Sequence, residues 1–211
     1  MEVHKFVFNL FMENTYLLVE NGKGLIIDPG NSNEEENIVI KSFIEQNEIE
    51  ILALVNTHCH IDHILGNRIV KEAYGIPFYA PFLDEYNLIA ADQYANELGL
   101  EAPRSPKPEI DLNKMDALKI GPFQFDVLFT PGHTSGHVSL YNEKEKRLFS
   151  GDVLFNGSIG RTDLPGGDFD TLINSIQEKL LSLPDDTIVY SGHGSETSIG
   201  YERKSNPFLL N

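Results

Sequence analysis

The sequence predicts a layered α/β protein in which strands alternate with helices in two successive groups. Hydrophobic residues make up 41% of the 211 residues and aromatic residues 10%, which excludes a disordered chain. The apolar spacing changes repeatedly along the chain between the period of a strand and the period of a helix. At roughly 100–200 residues per domain, we expect a single domain over residues 1–211.

The first group of elements begins with strands and then alternates helices with strands. An Asn21-Gly22 pair between two apolar runs predicts a tight hairpin turn. The first helix is amphipathic, with Ile38, Ile40 and Phe43 predicted to face inward. The predicted elements of this group are strands 3–10, 15–20, 24–27, 51–55 and 77–80 and helices 34–46, 62–74 (ending at Gly75) and 83–98 (ending at Gly99).

A loop with three prolines over residues 101–108 follows, and it is too short to separate two domains. The second group has apolar runs short enough for strands and two longer helical patterns. Its predicted elements are strands 117–120, 123–129, 138–141, 147–149 and 187–190 and helices 171–181 and 196–204.

Charge and composition narrow the class of partner. Sixteen basic and 32 acidic residues leave a net charge of −16, which argues against nucleic acid and against an anionic membrane. No stretch approaches the roughly 20 apolar residues of a membrane span, and the N-terminus lacks a basic leader. The single cysteine, Cys59, fits a reducing compartment. We therefore expect a cytoplasmic monomer or homodimer that acts on a small molecule.

One segment concentrates groups that bind metals. His58, His60, Asp62 and His63 directly follow the predicted strand 51–55. On an extended chain His58 and His60 leave the same face, so Cys59 points away and is predicted to be a small buried packing residue. Imidazole and carboxylate together suit divalent transition metals.

Three further candidates, His133, Asp152 and His193, each follow a glycine at the end of a predicted strand. Ligands at strand ends along one sheet edge are the usual way in which α/β folds assemble a site. His137, which begins a predicted strand, is expected to be structural. The sequence thus supplies seven candidate ligands: His58, His60, Asp62, His63, His133, Asp152 and His193.

Thr57-His58-Cys59-His60-Ile61-Asp62-His63 resembles the T-H-x-H-x-D-H motif of the metallo-β-lactamase superfamily. Pro131-Gly132-His133-Thr134, Ser150-Gly151-Asp152 and Ser191-Gly192-His193-Gly194 resemble its later motifs, in order. The resemblance implies an αββα four-layer sandwich with the site along one edge of two packed sheets.

The resemblance also implies two divalent ions, with zinc expected and iron or manganese as alternatives. It gives one ion to His58, His60 and His133 and a second to Asp62, His63 and His193, with Asp152 bridging both. A hydroxide shared by the ions would be the nucleophile, and Asp62 would orient it and accept its proton.

Asp152-Val153-Leu154-Phe155 and His133-Thr134-Ser135-Gly136-His137 resemble glyoxalase II-like hydrolases, which cleave acyl thioesters such as S-lactoylglutathione. The chain ends soon after His193, so we expect the compact single-domain type without the C-terminal glutathione-binding domain. Arg161 is the candidate to bind a substrate carboxylate, and a salt bridge to Asp163 or Asp168 is the alternative. The alternative function is that of a persulfide dioxygenase with a single iron bound by His58, His133 and Asp152.

Overall fold

The computed structural model of the chain describes residues 1–98 and 104–210. The backbone forms two compact units, described residues of Met1–Leu112 with Lys119–Phe123, and described residues of Asn113–Leu118 with Gln124–Asn211. Within the described ranges, no helix has the length and hydropathy needed to cross a membrane. Each unit combines a sheet with helices, which confirms the α/β class, and the single domain over residues 1–211 stays a prediction.

The first unit contains a six-stranded sheet with the strand order β1-β2-β3-β4-β5-β6. The first three strands are antiparallel, and β3 to β6 run parallel. The strands are β1 Glu2–Phe8, β2 Glu13–Glu20, β3 Lys23–Ile27, β4 Glu50–Val55, β5 Phe78–Ala80 and β6 Ile110–Asp111. Asn21 and Gly22 both have positive φ angles (54° and 72°), which confirms the predicted tight turn between β2 and β3.

The helices of the first unit are α1 Glu34–Gln46, α2 Asn67–Tyr74 and α3 Glu85–Leu98. Helix α1 has the predicted bounds because the Asn33 side chain caps it by accepting a hydrogen bond from the Glu36 amide. Ile40 is buried and Phe43 is half-buried against the core, both as predicted, whereas Ile38 is 53% exposed and Ile44 is the second buried residue of the helix. The apolar core of this unit gathers residues from all of its layers, including Leu17, Ile26, Leu54, Cys59 and Phe78.

The predicted helix 62–74 is two elements. A 3₁₀ turn covers Ile61–His63, and α2 begins only at Asn67 and ends at Gly75 with φ 63°. The predicted helix 83–98 likewise begins with a 3₁₀ turn, Phe82–Asp84, before α3. The predicted helix end at Gly99 and residues 101–103 of the predicted loop lie outside the described residues.

A second six-stranded sheet has the order β14-β13-β10-β9-β8-β7, and β11 pairs with β12 in a separate hairpin. The strands are β7 Ala117–Ile120, β8 Phe123–Phe129, β9 Val138–Asn142, β10 Arg147–Gly151, β11 Leu154–Phe155, β12 Ser158–Ile159, β13 Ile188–Ser191 and β14 Thr197–Ser198. Helix α4 (Phe169–Ser175) continues as a π-helical turn, Ile176–Leu180, and α5 is Ile199–Ser205. Leu148, Leu172, Ile176, Val189 and Ile199 are fully buried in the core of the second unit.

Candidate metal centre

The segment that follows β4 brings four of the predicted ligands together within the first unit. His58 and His63 are fully buried, whereas His60 and Asp62 are partly exposed. The ring of His58 lies 5.0 Å from that of His60 and 4.2 Å from that of His63, centroid to centroid. Asp62 Oδ2 lies 3.5 Å from His63 Nε2. Three imidazoles and one carboxylate therefore share a small volume at the end of a parallel strand.

Asp28, at the end of β3, holds this segment in place. Its Oδ1 accepts a hydrogen bond from the Thr57 amide (2.7 Å) and its Oδ2 one from the Thr57 hydroxyl (2.6 Å). Because that hydroxyl hydrogen is committed to Asp28, His58 Nδ1, at 3.1 Å, must donate to the Thr57 oxygen. Asp28 also lies within metal-ligand spacing of His58 and His63. Since both of its oxygens already accept hydrogen bonds, we interpret it as an outer residue that orients the ligands.

Glu13, the first residue of β2, is a second carboxylate behind this segment, and its side chain is fully buried. Its Oε2 accepts a hydrogen bond from the Thr15 hydroxyl (2.8 Å), and its Oε1 lies 3.8 Å from His63 Nδ1. Burial raises the pKa of Glu13 well above its usual range, an effect that the nearby His63 opposes. Sequence reasoning missed both Glu13 and Asp28, because nothing in the local pattern of a strand marks a carboxylate as buried.

Cys59 faces away from these groups, as predicted. Its side chain is fully buried in the apolar core of the first unit, and burial raises the pKa of the thiol. Its backbone amide donates a hydrogen bond to Asp84 Oδ2 (3.3 Å). Cys59 is therefore the packing residue that the alternation of the strand predicts.

In the second unit, the imidazoles of two predicted ligands lie beside one carboxylate oxygen of a third. Asp152 Oδ2 lies 3.6 Å from His133 Nε2 and 3.4 Å from His193 Nε2. His133 and Asp152 are buried, and the side chain of His193 is 27% exposed. An oxygen placed between two imidazole nitrogens has the geometry of a shared ligand.

His137 has the structural role that the sequence predicts. Its Nε2 accepts a hydrogen bond from the Asp152 amide (3.2 Å), so that lone pair is already used, and Nδ1 contacts the Thr130 hydroxyl (3.1 Å). The backbone at Gly160 packs closely against Asp152 as well, since a Cβ at residue 160 would lie 1.9 Å from the Asp152 carbonyl oxygen and 3.2 Å from His133 Nδ1. The backbone around Asp152 is thus held from two directions.

Arg161 contributes to this region through both its backbone and its side chain. Its carbonyl oxygen lies 2.8 Å from His133 Nδ1, so Nδ1 carries the hydrogen and Nε2 keeps its lone pair. Its guanidinium forms a two-point ion pair with Asp163, at 2.7 and 2.8 Å, and both side chains are well exposed. Hydrogen bonding to Arg161 lowers the pKa of Asp163 to about 2. The salt bridge considered as the alternative for Arg161 is therefore present, with Asp163.

The donor chemistry of each unit fits a divalent transition metal. Nδ1 of His58 and Nδ1 of His133 each donate to an oxygen, which leaves Nε2 as the ligand atom. Nδ1 of His63 faces Asp28 Oδ2 at 3.3 Å, which favours the same tautomer. Borderline nitrogen donors combined with carboxylate oxygens suit zinc, iron or manganese.

The family model of the metallo-beta-lactamase superfamily matches residues 9–193 of the chain. The hydroxyacylglutathione hydrolase GloC of Haemophilus influenzae is 39% identical over 202 residues, covering 94% of this chain and 93% of the relative. These matches span both units.

Two solved structures resemble the chain over nearly all of its length. The BLEG-1 B3 metallo-beta-lactamase has a TM-score of 0.92 at 37% identity and covers 100% of both chains. TTHA1623 in a di-iron-bound form has a TM-score of 0.88 at 37% identity and covers 98% of this chain and 100% of that one. The chain therefore belongs to the metallo-beta-lactamase superfamily and has the fold of that family.

Proposed function

We propose that the chain is a metal-dependent hydrolase that cleaves small acyl thioesters, such as S-lactoylglutathione, at a dinuclear centre. The observation that carries the proposal is the position of Asp152 Oδ2 between His133 Nε2 and His193 Nε2. A carboxylate that lies close to two ligand sets is a ligand that two adjacent cations could share. The thioester class is supported by the similarity to the GloC relative.

We assign one ion to His58, His60 and His133 and the second to Asp62, His63 and His193, with Asp152 bridging them. The resemblance to a protein solved in a di-iron-bound form supports a pair of ions. The donor set accepts zinc, iron or manganese, and zinc is our first expectation.

When bound, a pair of divalent cations lowers the pKa of a coordinated water to about 7 and polarises a carbonyl oxygen. We assign to the Asp62 carboxylate, which is partly exposed and lies 3.5 Å from His63 Nε2, the role of orienting the attacking water and accepting its proton. The leaving thiolate needs no proton, which fits a site where the predicted ligands include no strong general acid.

Arg161 is our candidate for binding a substrate carboxylate. Its carbonyl oxygen contacts the ring of His133, so its side chain starts within reach of the proposed centre. A guanidinium recognises a carboxylate through two parallel hydrogen bonds, and it already makes such a pair with Asp163. Exchange of Asp163 for the substrate carboxylate would bind the substrate.

A second candidate function is β-lactam hydrolysis, which the resemblance to the BLEG-1 B3 metallo-beta-lactamase favours. A β-lactamase attacks the amide of a β-lactam ring, whereas the enzyme that we propose attacks a thioester. Direct assay of both substrates therefore distinguishes the two candidate functions.

The test combines metal analysis of the purified protein with three assays. These follow the cleavage of S-lactoylglutathione, the cleavage of a chromogenic cephalosporin, and oxygen uptake with glutathione persulfide. Our proposal expects two ions per chain and thioester cleavage as the fastest reaction. Oxygen uptake at one iron per chain without thioester cleavage would establish the dioxygenase instead.

Asp152→Ala tests the bridging carboxylate, and Asp186→Ala is its matched control. Asp186 is an exposed carboxylate of the same unit, which pairs with Lys146. Losing an outer partner of a ligand typically costs 10–100-fold in activity, so loss of the bridge itself should cost at least about a hundredfold. Retention of most of the turnover by Asp152→Ala would contradict the bridging role.

A further inference from the structure

Glu13 is a buried carboxylate that the thioesterase reaction, as proposed, does not use. Its side chain is fully inaccessible, and its Oε1 accepts no hydrogen bond from any group in the described ranges. That oxygen lies 3.8 Å from His63 Nδ1. The other oxygen, Oε2, is fixed by the Thr15 hydroxyl at 2.8 Å. The carboxylate is thus anchored at one end and directed towards an imidazole at the other.

The space around Glu13 is shaped to hold this carboxylate close. A Cβ on Gly30 would lie 2.1 Å from Glu13 Oε2, so the backbone at residue 30 approaches the side chain as closely as only glycine permits. The hydroxyl of Thr15 also accepts a hydrogen bond from the Gly30 amide (2.8 Å). Glu13 therefore has little freedom to turn away from His63.

Burying a carboxylate is unfavourable unless a positive charge or hydrogen bonds compensate for the loss of water. The ionisable groups that interact with Glu13 are His63, Asp28 and Asp62, and a cation bound at His63 Nε2 would supply the compensating positive charge. Asp28 Oδ2 lies on the same nitrogen of His63, at 3.3 Å. Two carboxylates thus face Nδ1 of one imidazole, while its Nε2 lies 3.5 Å from Asp62.

We propose that Glu13 is a positioning residue for the metal centre: together with Asp28 it polarises His63 from the Nδ1 side and raises the affinity of the cation bound at Nε2. Carboxylates behind a ligating imidazole orient the ring and make it a stronger ligand. The inference rests on the proposed function only in requiring that His63 binds a metal, and it does not depend on the substrate.

The test compares Glu13→Gln with Glu50→Gln. Glutamine has the shape of glutamate and keeps an oxygen for Thr15, so Glu13→Gln replaces the carboxyl group with a neutral amide with little change in packing. Glu50 is an exposed carboxylate of the same sheet, and its substitution changes the net charge of the protein by the same amount. Zinc affinity of the holoprotein is measured by competition with a chromophoric chelator, and the unfolding midpoint of the metal-free protein is measured alongside.

We expect Glu13→Gln to lose about tenfold in affinity for one of the two ions, with no fall in the unfolding midpoint of the metal-free protein. Glu50→Gln should match the wild type in both measurements. Wild-type affinity for both ions in Glu13→Gln, or equal loss of both ions with a lowered midpoint, would overturn the inference. The readout is metal affinity, so a wild-type protein that binds zinc but cleaves no thioester would refute the proposed function and leave this inference standing.

Discussion

Replacing Glu202 with alanine should destabilise the second unit and loosen the hairpin that lies between two proposed site residues. Glu202, in α5, is fully buried. Its carboxylate accepts hydrogen bonds from the Thr197 hydroxyl (2.5 Å), the Asn206 side-chain amide (2.7 Å) and the Gly157 backbone amide (3.1 and 3.2 Å). Asn206 in turn donates to the Ser158 carbonyl oxygen (2.9 Å). Helix α5 thereby holds the β11–β12 turn from one side.

The magnitude follows from the donors left behind. Three donors lose their acceptor in Glu202→Ala; that of Asn206 is buried, and those of Thr197 and Gly157 are half-buried. A buried donor without a partner costs about 1–3 kcal/mol. Neighbouring losses are not additive, so we expect a total of about 3–5 kcal/mol. For a chain of 150–250 residues this lowers the melting temperature by roughly 6–20 °C. The free energy of unfolding of Glu202→Gln should lie between those of Glu202→Ala and the wild type, because the glutamine oxygen still accepts a hydrogen bond while its NH2 group faces donors rather than acceptors.

The measurement is the free energy of unfolding from urea titration, with the melting temperature and the metal content determined in parallel. Glu178→Ala, an exposed glutamate of the π-helical turn, is the control, and we expect a change within about 0.5 kcal/mol. Because the hairpin lies between Asp152 and Arg161, Glu202→Ala should also bind metal less tightly. A Glu202→Ala protein within about 1 kcal/mol of the wild type would refute the reasoning that these three donors depend on one carboxylate.

Three further predictions follow from the second unit and its proposed ions. Asp163→Asn frees the Arg161 guanidinium, so the KM for a thioester with a free carboxylate should fall about two- to fivefold, with no change for a matched thioester without one. The hydrogen bond to Arg161 lowers the pKa of Asp163 from 3.8 to about 2 in the folded protein. The contribution of this ion pair to stability is therefore complete above about pH 4 and is lost as the pH falls towards 2. Above about pH 4, the activity profiles of the wild type and of Asp163→Asn should be parallel. Removing the metal with a chelator should lower the melting temperature by roughly 8–16 °C, as expected for a ligand present at about a thousandfold its Kd, and zinc should restore it; an unchanged melting temperature would contradict a metal that binds only the folded state. Gly132→Ala should cost more than about 2 kcal/mol and displace His133, because φ there is 127° and the new Cβ would lie 2.3 Å from the Leu172 amide nitrogen; a variant with wild-type stability and metal content would contradict this.

Local signals in the sequence predicted much of the secondary structure. Helix α1 has its predicted bounds because its cap, Asn33, is adjacent to it in the chain. Strands β7 and β8 also match their predicted ranges, because their alternation continues to both ends. The two-residue strands β6, β11, β12 and β14 were missed, since two residues define no period. Ile38 was assigned to the wrong face because a helix with several apolar positions does not by itself indicate which of them meets the core.

The candidate ligands were also recognisable from the sequence alone, because each lies in a short motif that follows a strand. The order of residues therefore determined the longer strands, the hairpin turn, the bounds of α1 and the family motifs. Only the tertiary structure decided which carboxylates lie behind those ligands. Glu13, Asp28 and Glu202 look like ordinary polar residues in the chain, and their roles come from burial beside groups as far apart in sequence as residues 13 and 63. Side-chain periodicity is a local property, whereas the compensation of a buried charge depends on neighbours that only folding brings within reach.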